Sequence, residues 1–171
     1  LSKNNLNYKR IDLIQSMLSN SIFLIPIREP LQHSYSLLNQ HLHFSQLQKE
    51  DDFIRRYMNY LGHNEFGLNH KPWFKPEFYF NKNDINYWLE QWIKFYKFIY
   101  LKHKDDTNYC KFICYEKLDS PLYLTRLNNF LQMDDKNLTK FDVSSKKKIE
   151  KYDNDLLLTA IELYEKLNNV A

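Results

Sequence analysis

The chain has 171 residues, of which 43% are apolar and 16% aromatic, and its net charge is +3. This composition excludes an intrinsically disordered chain, and the length predicts one domain, residues 1–171, with a sizeable core. The small net charge gives no indication of a nucleic-acid partner, which usually requires a concentrated basic surface. No stretch approaches the roughly 20 apolar residues of a membrane span, and no secretory signal is recognisable. We therefore predict a cytoplasmic protein.

The first third of the chain predicts the order helix, strand, helix. Residues 8–18 form a short amphipathic pattern. The apolar run from Ile22 to Ile27 shows no polar alternation, which is typical of a strand covered on both faces. Pro30 suits the first turn of a helix, which continues through apolar residues at helical spacing, Leu31, Tyr35, Leu38 and Leu42. A strand that leads into a helix leaves free backbone N–H groups for an anion, and Arg28 adds donors suited to phosphate.

The rest of the chain predicts mostly helix. Apolar residues at helical spacing indicate helices over residues 46–61, 84–102, 122–131 and 149–167. Ser120 and Pro121 are typical of an N-cap and a first helical residue. Gly62 and Gly67, the two glycines of the chain, predict sharp turns. An aromatic loop over residues 71–80 either lines an acceptor pocket or covers the core.

A second buried strand is predicted over residues 109–115. Cys110 and Cys114 would lie on one face of it. At about 3.3 Å per residue they are roughly 13 Å apart, too far for a disulfide. Two free thiols fit a reducing cytoplasm.

Several stretches resemble sulfotransferases that use 3′-phosphoadenosine 5′-phosphosulfate, in particular bacterial members. Arg28-Glu29-Pro30, with Ser36 eight residues after the arginine, is similar to the segment that binds the 3′-phosphate, although aspartate is usual where Glu29 stands. The run Tyr57–Gly67, which contains Leu61-Gly62-His63 and Glu65-Phe66-Gly67, resembles a run of some bacterial members. Tyr115-Glu116-Lys117-Leu118, followed by Pro121, is similar to the end of a late parallel strand, and the opening Ser2–Asn5 to the segment before the 3′-phosphate strand.

The resemblance implies a function and a fold. The function would be transfer of a sulfuryl group from 3′-phosphoadenosine 5′-phosphosulfate to a hydroxyl or amine of a small-molecule or glycan acceptor, with no metal. The fold would be α/β, a three-layer sheet of the P-loop nucleotide-hydrolase type, seen here as a helix-rich partial domain with a few parallel strands. Arg28 and Ser36 would bind the 3′-phosphate, Tyr115 would lie near the adenine, and Lys3 would stabilise charge on the transferring group.

Two alternatives remain open. In the first, the chain is a non-catalytic helical interaction module on the same scaffold. In the second, it is a P-loop kinase-like phosphotransferase that requires ATP and Mg²⁺. His63 and Glu65 are either an acid–base pair or part of a structured turn. The main departure from the family is that no glycine-rich loop for the 5′-phosphosulfate is recognisable. We therefore expect the chain to be the C-terminal part of a longer enzyme, or a relative without catalysis.

Overall fold

The computed structural model describes residues 5–133, 141–142 and 151–171. In this part of the chain the fold is α/β and mostly helical, with six α-helices and one two-stranded parallel sheet. The elements in chain order are α1 (Ile11–Met17), β1 (Phe23–Ile27), α2 (Pro30–Glu50), α3 (Asp52–Tyr60), α4 (Ile85–His103), β2 (Cys110–Cys114), α5 (Pro121–Leu131) and α6 (Asn154–Asn168). Short 3₁₀ turns cover Asn5–Lys9 and Tyr115–Lys117.

The described residues group into two compact units. The first contains residues 5–28, 98–133, 141–142 and 165–171, and with them both strands, α1 and α5. The second contains residues 29–97 and 151–164, and with them α2, α3 and most of α4 and α6. The single-domain interpretation stays a prediction.

The two strands of the first unit pair in parallel, with Phe23 opposite Cys110 and Ile27 opposite Cys114. Burial alternates along β1: Ile25 and Ile27 are buried, whereas Leu24 is 41% exposed. The prediction that β1 is covered on both faces is therefore wrong for the described structure, because an unbroken apolar run does not require that both faces be packed. In β2 the adjacent residues Phe112 and Ile113 are both buried, so this strand fits the prediction.

The two cysteines, Cys110 and Cys114, are buried and form no disulfide in the described structure, as predicted. The predicted strand over 109–115 is confirmed, with its ends at Cys110 and Cys114.

The boundary between the second and third helices differs from the prediction. Helix α2 continues to Glu50, and the chain breaks at Asp51, which has an extended backbone. The Asp51 side chain accepts a hydrogen bond from the N–H of Phe53 (2.8 Å) and so caps α3. The expected break between residues 42 and 46 is wrong because helix-forming residues there continue α2, whereas the carboxylate of Asp51 offers the backbone a competing hydrogen bond.

Helix α4 is the centre of the second unit, as its wide apolar surface predicts. Trp88, Trp92 and Tyr96 are buried on it. Two buried polar residues of α4 hold the aromatic loop. The amide of Gln91 donates to the carbonyl of Phe74 (2.9 Å) and accepts from its N–H (3.2 Å), and Glu90 accepts from the N–H of Glu77. The loop is therefore held by hydrogen bonds between its backbone and these two side chains of α4.

The last two helices largely agree with the sequence. Ser120 caps α5 by accepting from the N–H of Tyr123 (3.4 Å), and Pro121 is the first helical residue, as predicted. Helix α6 begins at Asn154, and the predicted start at Ile149 lies outside the described residues. No helix within the described ranges is long and apolar enough to cross a membrane.

Candidate functional site

The carboxyl ends of the two parallel strands bring two predicted site residues together. Arg28 follows β1 directly and Tyr115 follows β2 directly, and the strands are in register up to Ile27 and Cys114. The guanidinium carbon of Arg28 lies 4.6 Å from the centroid of the Tyr115 ring. Because the carboxyl edge of a parallel sheet is where open α/β folds bind ligands, a cation on an aromatic face at this edge is a candidate site.

Side chains beyond β2 fix the backbone that carries Tyr115. The N–H of Cys114 donates to the hydroxyl of Tyr123 (2.9 Å), and the Cys114 thiol donates to a carboxylate oxygen of Glu116 (3.4 Å). Glu116 therefore accepts a hydrogen bond from the last residue of the strand.

The start of α2 differs from the expected anion site. Both carboxylate oxygens of Glu29 accept hydrogen bonds from helix amides, from Leu31 N–H (3.1 Å) and Gln32 N–H (2.6 Å). The expectation of free amides for an anion is therefore wrong at these two positions, because the chain supplies its own carboxylate as N-cap. The N–H groups of Leu31 and Gln32 are therefore not available to a phosphate.

Ser36 lies nearly two turns into α2, in the second unit, whereas Arg28 and Tyr115 belong to the first. Its hydroxyl donates to the carbonyl of Gln32 (3.0 Å). To donate to a phosphate, the hydroxyl must rotate away from this carbonyl. Lys3, the predicted catalytic residue, lies outside the described residues.

Replacing the capping carboxylate tests this description of α2. We expect Glu29→Ala to lower the free energy of unfolding by about 1 kcal/mol, because two helix amides lose their acceptor. Urea denaturation followed by circular dichroism measures the change. Glu29→Gln keeps one side-chain oxygen and should lose less. Equal stability of Glu29→Ala and the unaltered protein would show that the cap contributes nothing.

The run Tyr57–Gly67 ends in a turn whose backbone is bound by buried side chains of α2. The N–H of Gly67 donates to Nδ1 of His41 (3.1 Å), and the N–H of Leu68 donates to Oε1 of Gln48 (2.7 Å). Gly62 and Gly67 have φ angles of 73° and 87°, which confirms the predicted sharp turns. The structure thus favours the interpretation of this run as a structured turn.

His63 and Glu65 lie on this turn with His63 Nδ1 3.5 Å from Glu65 Oε2, and His63 is largely exposed. Their possible acid–base role stays a prediction.

A buried histidine, His41, and a half-buried one, His70, lie together next to the turn and were not predicted as a pair. His70 Nδ1 donates to the carbonyl of Glu65 (2.7 Å), and its Nε2 accepts from the Tyr87 hydroxyl (2.6 Å). The rings of His41 and His70 are 5.4 Å apart. Burial lowers the pKa of His41 to about 4 and also lowers the pKa of His70. Their spacing of 29 residues in the sequence carries no periodic signal that would have indicated the contact.

The described residues contain no group of three or more His, Cys, Asp or Glu side chains arranged to hold a metal ion. No protein-family model, curated protein or solved structure matches the chain.

Proposed function

We propose that the chain is the nucleotide-binding part of a sulfotransferase that uses 3′-phosphoadenosine 5′-phosphosulfate, on a scaffold of the P-loop nucleotide-hydrolase type. The observation that carries the proposal is the contact of Arg28 with Tyr115 at the carboxyl edge of the parallel sheet. These two residues were selected from separate motifs, 87 positions apart, for the same nucleotide. Their meeting at one edge supports a common ligand.

The local chemistry suits an anionic nucleotide with its phosphate on Arg28. The guanidinium group is planar and can donate two parallel hydrogen bonds to a phosphate while one face rests on an aromatic ring. Since Arg28 covers one face of Tyr115, the base would use the opposite face or the hydroxyl. The N–H groups of Leu31 and Gln32 already donate to the Glu29 carboxylate, so in this proposal the side chain of Arg28 supplies the main attraction for the phosphate.

Sulfuryl transfer itself would be an in-line displacement in which the protein positions the reactants and neutralises charge. The bond from the sulfur to the phosphate oxygen breaks as the bond to the acceptor oxygen or nitrogen forms, and the acceptor proton is released. Ser36 and Lys3 enter this proposal only through the resemblance, as a further phosphate ligand and as a stabiliser of the transferring group.

We expect Arg28→Ala to raise the dissociation constant of 3′-phosphoadenosine 5′-phosphate about tenfold. This is the lower end of the effect of losing a charge-assisted hydrogen bond, and it applies because Arg28 is partly exposed. Isothermal titration calorimetry measures the change. Arg10→Ala is the matched control, since Arg10 is an exposed arginine of the same unit outside this edge.

The choice of nucleotide separates the alternatives. The proposal requires that the unaltered protein bind 3′-phosphoadenosine 5′-phosphate more tightly than adenosine 5′-monophosphate, and that Arg28→Ala remove this preference. Equal binding of the two nucleotides would contradict the proposal and favour the interaction module. Preference for ATP with Mg²⁺ would favour the phosphotransferase.

A further inference from the structure

A cavity of the first unit is lined by residues of β2 and α5, and neither Arg28 nor Tyr115 belongs to its lining. It has a volume of about 370 Å³. Three cationic side chains line it: Lys111 from β2, Lys117 from the 3₁₀ turn and Arg126 from α5. Its remaining wall includes the apolar side chains of Leu122 and Phe130.

The three cationic side chains at this cavity form no ion pairs with carboxylates of the described residues. Among the described residues, no carboxylate lies within ion-pair distance of Lys111, Lys117 or Arg126. The Lys117 ammonium group instead lies 5.8 Å from the centroid of the Tyr123 ring. Three positive charges therefore line one concavity without an ion pair to any carboxylate of the described residues, and Ala171 lies on the same wall.

The size of the cavity makes these charges act together. A sphere of 370 Å³ is about 9 Å across, which is close to the Debye length of about 8–10 Å at physiological salt. An anion at the centre of the cavity lies about half that length from its wall, so its attraction to the three cationic side chains is only partly screened. The same closeness raises the repulsion among the cations when the cavity is empty, and an anionic ligand relieves that repulsion.

The apolar wall narrows the class of ligand. Leu122 is 62% exposed and Phe130 is partly buried, so both present carbon surface next to the cations. A bare inorganic anion would leave this surface in water, whereas a ligand with an aromatic or alkyl body would cover it and gain about 25 cal/mol for each Å² buried. We infer that the cavity binds an organic monoester anion, a phosphate or sulfate group attached to a small apolar body.

This site goes beyond the proposed nucleotide site and does not depend on it. Different residues form the two sites, and the cavity would bind its ligand in a chain with any activity. The adenine-free probe phenyl phosphate tests it directly. Inorganic phosphate and phenol serve as the charged half and the apolar half of the same molecule.

Ligand-detected NMR and calorimetry on the complete chain measure the binding of the three probes. We expect phenyl phosphate to bind more tightly than inorganic phosphate, and phenol not to bind measurably. Arg126→Gln and Lys117→Gln should each weaken phenyl phosphate binding at least fivefold, because each removes one of the converging charges. Leu122→Gln, at an exposed position, should remove the advantage of phenyl phosphate over inorganic phosphate.

Two controls make the result specific. Lys166→Gln removes one charge from an exposed position of the same unit outside the cavity and should leave binding unchanged. In the Arg28→Ala background, Arg126→Gln should weaken phenyl phosphate binding by the same factor as in the unaltered protein, because the two arginines belong to different sites. Three results would each overturn the inference: no binding of phenyl phosphate, equal affinity for inorganic phosphate, or no effect of Arg126→Gln in the Arg28→Ala background.

Discussion

Gly67→Ala is expected to lower the free energy of unfolding by about 3 kcal/mol. Gly67 has a φ of 87°, a conformation that costs an L-residue roughly 1–2 kcal/mol. An added Cβ would also overlap with the side-chain amide of Gln48. Gln48 cannot move away freely, because it is buried, its oxygen binds the Leu68 N–H and its nitrogen donates to Met58 Sδ (3.0 Å). Displacing a packed side chain costs a further 1–3 kcal/mol.

Gly62→Ala is the matched control for this change. Its φ of 73° imposes a similar backbone cost, but nothing lies within 4 Å of the added Cβ. We expect a loss of about 1 kcal/mol there. Chemical denaturation of both variants separates the backbone cost from the steric cost. If both variants lose the same amount, the contact between Gly67 and Gln48 does not restrict this position.

The second large effect is a loss of stability in acid that originates at His41. In the folded chain its pKa is about 4, below the ordinary 6.5, chiefly because it is buried and secondarily because His70 and Lys82 are near. The unfolded chain therefore binds a proton first as the pH falls. The stabilising contribution is complete above about pH 6.5 and is lost as the pH falls toward 4. Between pH 7 and pH 5 this amounts to about 2 kcal/mol.

Urea denaturation at a series of pH values measures this dependence. His41→Asn should flatten it, since asparagine retains an acceptor for the Gly67 N–H but does not titrate. His43→Asn is the control, because His43 lies on the same helix and is exposed; its slope should match that of the unaltered protein. An NMR titration gives a second measurement, in which His41 should stay neutral at pH 6. A slope that His41→Asn leaves unchanged would assign the acid sensitivity to other groups.

The helices were largely predictable because their signals are local. The wide apolar surface of α4 and the prolines at the starts of α2 and α5 determine position through sterics and burial within a few residues. The break at Asp51 was missed because it depends on one side chain that competes with the helix for a backbone N–H. One-sided burial of β1 was missed because an apolar run records the composition of a strand and not what lies on each face.

The candidate site was predictable only in its residues, and not in its arrangement. Arg28 and Tyr115 were selected by motif, but their contact depends on the register between strands that are far apart in the sequence. The Glu29 cap could have been anticipated, since an acidic residue directly before Pro30 is well placed to accept from the next amides. The pair of His41 and His70 carries no local signal at all, because a helix and a turn bring it together.

Because Cys110 is buried in β2, its chemical reactivity depends on local opening of the sheet. Burial raises the pKa of this thiol to about 12, so at neutral pH the folded chain holds it as the unreactive thiol. Alkylating reagents and peroxide therefore react with Cys110 only when β2 separates from the residues that pack against it. The rate at which Cys110 is modified therefore measures how often the strand opens locally, and no probe has to be introduced into the chain.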